Sequence, residues 1–225
     1  KAGFCISKAN INNCEFKRLS SLLQLLSIQH LIDVGANTGQ FAHNMRRSGY
    51  FEYIYSIEPY SSSYKLLLDH SKRDTKWIVG SKRIAISNYC GESNINITAN
   101  SACSSLLKPT KSFNDSHSAS RVIFTEPVSV VTLNSFVRNS LPTDCKFALK
   151  IDTQGNEYDV LQGTSDVLEQ CGLVYVETSE IPIYDGSSES DKVISFLEDK
   201  GFKLWFKNLN IVNPSNISAL QYDIC

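Results

Sequence analysis

The chain has 225 residues, 42% hydrophobic and 20% charged, with 22 Lys+Arg against 23 Asp+Glu for a net charge of -1. That size suits one larger single-core domain, and the balance excludes a disordered tail, a collagen-like or coiled-coil rod and a strongly basic nucleic-acid footprint. The longest apolar runs, such as Leu22–Leu26 and Leu31–Val34, fall far short of the ~18 residues a membrane span needs, so none is expected.

In chain order, Phe16, Leu19, Leu22, Leu23 and Leu26 recur at helical spacing, which predicts an amphipathic helix over 16–28. Residues 1–29 are read as a helical extension ahead of a domain spanning 30–225. His30–Val34 is a short apolar run ending in Gly35, hence a buried strand. Gly39–Ser48 follows as a helix closed by Gly49, Tyr53–Ile57 as a second strand and Tyr64–His70 as a helix capped from Ser61–Ser63. Trp77–Val79 and Arg83–Ile86 supply a third strand region. Between Asn88 and Val131 the pattern changes: Asn94–Thr98 and Val128–Val131 have strand character, and polar Lys108–Arg121 is expected to be a mobile loop of a hairpin insertion. The alternation resumes with strand Phe147–Ile151, helix Glu157–Cys171, strand Leu173–Val176 and helix Asp191–Lys200. Phe202–Phe206 and Ser218–Ile224 are two closing β segments. Strand–helix alternation of this kind predicts an α/β fold with a doubly wound, mostly parallel sheet of about seven strands, helices on both faces and an insertion around 88–131.

Seven cysteines (Cys5, Cys14, Cys90, Cys103, Cys145, Cys171 and Cys225) contain no C-x-x-C pair. An odd number without close spacing argues against a disulfide framework and a structural zinc. Reduced thiols are expected, which suits a cytoplasmic protein. The first residue is Lys1 rather than Met, the mark of a trimmed chain, so an upstream signal or anchor stays open. The sequons at Asn96, Asn114 and Asn216 are expected by chance in a chain rich in Asn and Ser.

Three segments carry chemistry. In Asp33-Val34-Gly35-Ala36-Asn37-Thr38-Gly39-Gln40-Phe41 a strand ends, two glycines four apart make a turn and a helix begins. Glycines let a ligand approach the backbone, and the helix N-terminus offers free N–H groups. The spacing is G-x-x-x-G, not the dinucleotide G-x-G-x-x-G, and Asp33 would repel a pyrophosphate while attracting an amino group or sulfonium. Glu58, at the end of the next strand and 19 residues after Gly39, suits a ribose diol. Alone it reads as a solvated loop acid; with the turn it marks an adenosine site. In Leu149-Lys150-Ile151-Asp152-Thr153-Gln154-Gly155-Asn156-Glu157, Lys150 and Asp152 share one strand face, and charge there requires pairing or an open strand end. A structural Lys–Asp pair and a catalytic role are both open on this evidence.

With Ser56-Ile57-Glu58-Pro59, Ser104-Ser105-Leu106-Leu107, Val131-Thr132-Leu133-Asn134 and Val176-Glu177, these segments occur in the order found in FkbM-type methyltransferases, which the sequence resembles over about Leu31 to Glu180. The most specific stretch is Lys150-Ile151-Asp152-x-Gln154-Gly155-x-Glu157. Asn134 departs from the Asp usual after Thr-Leu and touches only a helix start. The resemblance implies a Rossmann-like fold with seven strands and an antiparallel last strand, S-adenosylmethionine as cofactor, and O-methylation of a hydroxyl on a sugar, polyketide or similar metabolite. It places Asp33, Gly35, Ala36, Asn37 and Gly39 at the methionine part of the cofactor and Glu58 at the ribose. Ala85, Ile86 and Ser87 fall near the adenine, and Ser104 and Ser105 close the site. Gln40, Phe41, Pro59 and Asp152 complete the expected cofactor set.

For the reaction, Asp152 is the first candidate base, with Lys150 adjusting its charge or stabilising a developing alkoxide. Glu177 at the next strand's end joins Asp152 around the acceptor or a divalent cation; no metal is assigned. His117 is the alternative base, with a surface histidine as the plainer reading, and Glu157 reads as a helix N-terminal acid. Tyr184 and Asp185, after the fifth strand, are open to acceptor contact, but Pro182 and Gly186 mark an ordinary turn there. The expected partner is a small-molecule or glycan hydroxyl; Lys108, Lys111 and Arg121 are too few for a nucleic-acid face. A catalytically inactive cofactor-binding module is the rival class, and an NAD-linked reductase a third, disfavoured by the missing dinucleotide fingerprint.

Overall fold

A computed structural model describes residues 14–164, 166–213 and 218–225, with side chains from 14–164, 166–209 and 221–225. Cys5 and the Asn216 sequon lie outside the described residues. Helix α1 (Glu15–Leu25) leads into β1 (His30–Val34), α2 (Gln40–Arg47), β2 (Tyr53–Ile57), α3 (Ser61–Ser71) and β3 (Trp77–Val79). Next come β4 (Ile84–Ser87), β5 (Gly91–Thr98), α4 (Lys111–Ser116), β6 (Val122–Thr132) and α5 (Leu133–Ser140). The chain ends with β7 (Phe147–Ile151), α6 (Glu157–Gln162), β8 (Cys171–Ser179), α7 (Ser190–Asp199), β9 (Lys207–Asn213) and β10 (Ser218–Ile224).

Seven strands form one sheet in the order β3-β2-β1-β7-β8-β10-β9, and β10 alone runs antiparallel to its neighbours. Strands β1 and β7 are buried on both faces, which is why His30–Val34 and Phe147–Ile151 read as nearly continuous apolar runs. One face packs Leu31, Ile54 and Ala148 against Leu19 and Leu23 of α1, Met45 of α2 and Leu67 of α3. The other packs Ile32, Leu149 and Val174 against Leu133 and Val137 of α5, Val160 and Leu161 of α6, and Val193 and Leu197 of α7. Each fully buried Leu on these helices contributes about 1.5–3 kcal/mol. The sequence 16–28 thus folds back as an integral layer of the core.

Several elements differ from expectation. Ile84–Ser87 does not extend the third strand: β4 pairs with β6, and β4-β6-β5 is a separate three-stranded sheet with its own core of Ala85, Ile95, Ile97, Val128 and Val130. The stretch Lys108–Arg121 is ordered rather than loose, because Thr110 caps α4 by accepting from Phe113 N–H and Phe113 buries against Ile183 and Tyr184. Helix α5, expected only as a helix start at Asn134, is capped by Thr132, whose hydroxyl accepts from Ser135 N–H. The helix expected over Glu157–Cys171 stops at Gln162: a Cβ on Gly163 would come within 2.4 Å of Ser87 O, and the chain turns there before a short 3-10 turn. Residues Phe202–Phe206 run without regular structure and β9 begins at Lys207. The six described cysteines are all free.

Candidate functional site

The parallel register builds the site. Ser56, Asp33, Lys150 and Tyr175 lie side by side on β2, β1, β7 and β8, and the next rung is Ile57, Val34, Ile151 and Val176. The residues that follow it, Glu58, Gly35, Asp152 and Glu177, therefore emerge together at the C-terminal sheet edge, where ligands of open α/β folds bind. Glu177 is also paired across to Asp223 of β10.

On the lower rung Asp33 is fully buried and its carboxylate lies 3.0 Å from Lys150 Nζ. Ser56 Oγ donates to Asp33 (3.1 Å) and accepts from Trp77 Nε1 (2.9 Å). Lys150 also donates to the carbonyls of Gly35 (3.0 Å) and Val34 (3.4 Å) and lies 3.6 Å from Asp152. Burial opposes its charge, but the Asp33 and Asp152 carboxylates more than offset this and hold the ammonium form above its ordinary range. The ion pair expected between Lys150 and Asp152 is thus chiefly one between Lys150 and Asp33. Lys150 is 6% exposed, and its ammonium faces Asp33, Asp152 and the carbonyls of Val34 and Gly35.

The turn above it depends on Gly35, at φ +77°, where an added Cβ would lie 1.8 Å from the carbonyl oxygen of Asp152. Asn37 N–H donates to Glu58 Oε2 and Tyr60 N–H to Glu58 Oε1, both at 2.8 Å. Burial pushes the Glu58 carboxyl up to about 7 despite those two bonds and Lys150. Around these groups is a cleft of about 620 Å³, open to solvent and lined by Gly35, Asn37, Glu58, Pro59, Ala85, Ile86, Ser104, Ser105 and Asp152. Sequence reasoning missed Ile84, Ile95, Ser101, Leu106, Thr153 and Gln154, which line it too; the β4-β6-β5 sheet brings in the first two.

The other expected cofactor residues do not reach the cleft. Asp33 and Ala36 are buried below it, and Gly39 packs on the Trp77 ring. Gln40 points to solvent and accepts from Thr38 N–H, while Phe41 is buried against Phe16 and Tyr175. Both open α2, Gln40 on its exposed side and Phe41 on the side packed into the core. Ser87 is buried, lies on β4 rather than at a third-strand end, and meets Asn156, which also donates to Ile86 O (3.0 Å). That bond fastens the small sheet to the Asp152 loop, as does Ser105 Oγ donating to Thr153 O (3.2 Å).

The acidic side of the site is dense. Asp152 is 36% exposed at the cleft, and the Gln154 amide bridges it to Glu177. Burial, then the Asp152, Asp223 and Glu157 charges, raise Glu177 well above the usual carboxylate range. Glu157 turns back to accept from Thr153 N–H (2.8 Å), Thr153 Oγ1 (3.0 Å) and Gly155 N–H (2.9 Å), so it shapes this loop as well as starting α6. His117 is exposed and stacks on Phe113, and it does not line the cleft. A larger hollow at the opposite sheet edge, lined by Leu26, Leu173, Leu197 and Trp205, includes none of the motif residues. Among the described residues no three His, Cys, Asp or Glu side chains group to hold a metal ion, and no helix is long and apolar enough to cross a membrane.

A model of the methyltransferase FkbM domain matches residues 33–204, the whole of the edge just described. The chain belongs to the FkbM methyltransferase family. It is an S-adenosylmethionine-dependent methyltransferase by family. No curated protein matches it in sequence. Among solved structures it is similar to precorrin-6y C5,15-methyltransferase from Geobacter metallireducens GS-15 (12% identity, 98% of this chain and 92% of that one, TM-score 0.47). The methyltransferase domain of bacterial CtHen1-CN gives 12% identity, 96% and 98% coverage and a TM-score of 0.47. TehB from Haemophilus influenzae gives 8%, 92% and 59%, with a TM-score of 0.45. The cleft suits the FkbM cofactor: a buried carboxylate with N–H donors at one end, apolar Ala85, Ile86 and Leu106 along the wall, and carboxylates where a sulfonium is positive.

Proposed function

We propose that this protein methylates a hydroxyl oxygen of a sugar or similar small metabolite, with Asp152 as general base. The observation that carries the reading is Asp152 itself, a partly exposed carboxylate at the β7 tip on the cleft wall, fixed by Gln154 and Lys150. Bound S-adenosylmethionine supplies a methyl carbon already activated by positive sulfur. The protein's task is then to hold acceptor and donor in line, which is where most of the rate gain lies. Asp152 takes the hydroxyl proton as the oxygen–carbon bond forms and the carbon–sulfur pair stays on sulfur; such a base contributes about 10²–10⁴-fold. Glu58 would hold the ribose, Gly35 and Asn37 the methionine end, and Ala85 and Ile86 the adenine. Lys150 pairs with Asp33 at 3.0 Å and lies 3.6 Å from Asp152, so it fixes both carboxyls from below.

The test is transfer of labelled methyl groups to a panel of sugars and hydroxylated metabolites. Asp152→Asn should cut turnover by about 10²-fold or more while S-adenosylhomocysteine affinity stays within a few-fold. Full activity in that variant removes the base assignment. Tight cofactor binding with transfer to no acceptor favours a non-catalytic module.

A further inference from the structure

Gln154 holds φ +58°, a left-handed conformation that a residue with a Cβ rarely keeps unless its surroundings demand it. In that conformation the side-chain amide meets three partners. Its Nε2 donates to Asp152 Oδ1 (2.8 Å) and to Glu177 Oε2, and its Oε1 lies 2.9 Å from the buried Tyr184 hydroxyl. Turned over, the amide would aim its oxygen at two carboxyls, so the geometry admits one orientation. Tyr184 is itself held: its hydroxyl reaches Cys103 O (3.1 Å), and a Cβ on Gly155 would sit 2.8 Å from Tyr184 Cβ.

We propose that Gln154 is a positioning residue for methyl transfer: its amide, locked by Tyr184, clamps Asp152 and Glu177 into one coupled carboxyl pair. This rests on the reading of Asp152 as the base. The other groups facing the pair are Lys150 on β7, the Asp33 carboxylate on β1, Glu157 on α6, Asp223 and the Gln221 amide (3.3 Å from Glu177) on β10, and the Cys103 thiol. Lys150 is the one cation in this set and is held chiefly by Asp33; Glu177 meets Asp152 directly, by charge and by a side-chain hydrogen bond, and the neutral amide bonded to both fixes the two carboxyls at that contact. Buried beside the Asp152, Asp223 and Glu157 charges, Glu177 gives up its proton reluctantly.

Titration of carboxyl 13C resonances in the full chain tests this, with Glu177 assigned through Glu177→Gln. In the parent, Asp152→Asn removes a like charge and lowers the Glu177 midpoint by about one pH unit or more. With Gln154→Gly the clamp is gone, and the same Asp152→Asn change moves Glu177 less than half as far. Glycine relieves the positive φ, so this variant keeps its fold. Tyr184→Phe is the second variant and weakens the coupling in the same direction. Equal Glu177 shifts in the parent and in Gln154→Gly overturn the clamp. Lost coupling together with an Asp152→Asn enzyme that retains full turnover would uphold the clamp and remove only the base.

Discussion

Substituting Gly35 by alanine tests the site at its tightest point. At φ +77° an L-residue carries about 1–2 kcal/mol of backbone cost. The new Cβ would also start 1.8 Å from Asp152 O, so the tips of β1 and β7 must part by more than an ångström. Overpacking of that kind adds about 1–3 kcal/mol. The sum, about 2–5 kcal/mol, corresponds to a fall in Tm of about 4–20 °C for a domain of this size. Because the displaced atom belongs to Asp152, S-adenosylhomocysteine affinity should fall too. Gly186 is the control: its φ is +84° but nothing lies within 4 Å of an added Cβ, so Gly186→Ala carries only the backbone cost, about 2–8 °C. Scanning calorimetry and titration calorimetry read both effects. Equal losses in the two variants, or a Gly35→Ala protein binding like the parent, would refute the close-approach argument.

Two further outcomes follow from the charges. Glu58 is raised to about 7 from an ordinary 4.5, so its neutral form is favoured in the fold, and from this group stability falls as pH rises from 4.5 to 7. Ribose hydroxyls donating to the carboxylate favour its charged form, so cofactor binding should release protons near pH 6–7 and weaken as pH falls below 7. Calorimetry in buffers of different ionisation heat measures that release, and Glu58→Gln should abolish it. Lys150→Met leaves Asp33 buried without its cation at a cost of about 3–5 kcal/mol in denaturant unfolding, and adding Asp33→Asn should recover a large part.

The sheet edge was legible because its signals are local: β-branched runs that end in Gly35, Glu58, Asp152 and Glu177 mark strand tips whatever the topology. The rungs that align those tips depend on pairing between distant segments, which periodicity does not encode. That is why Asp33, near a strand tip, was expected in the cleft, although a two-residue alternation alone cannot say which strand residue is buried beneath it; Phe41, expected there with the rest of the turn motif, lies on α2 and packs on Phe16 and Tyr175. The separate β4-β6-β5 sheet was hidden because Arg83–Ile86 follows Trp77–Val79 so closely that the two read as one strand region. Gln154 was quoted but given no role; its one signal was a non-glycine residue beside Gly155 in a turn after a strand. In Lys108–Arg121 composition suggested looseness, while a single aromatic, Phe113, found a buried seat on Ile183 and Tyr184.

The aligned tips also act as a measuring stick. Neighbouring strands stand about 4.8 Å apart, and Glu58 and Asp152 are two strands apart with Gly35 between them. Their backbones are therefore held about 10 Å from each other by main-chain bonding across β2, β1 and β7. On the proposed reading, the span from the sugar anchor to the reacting carbon is thus written into the scaffold itself, and side-chain changes would retune grip at either end without altering the length of molecule that fits.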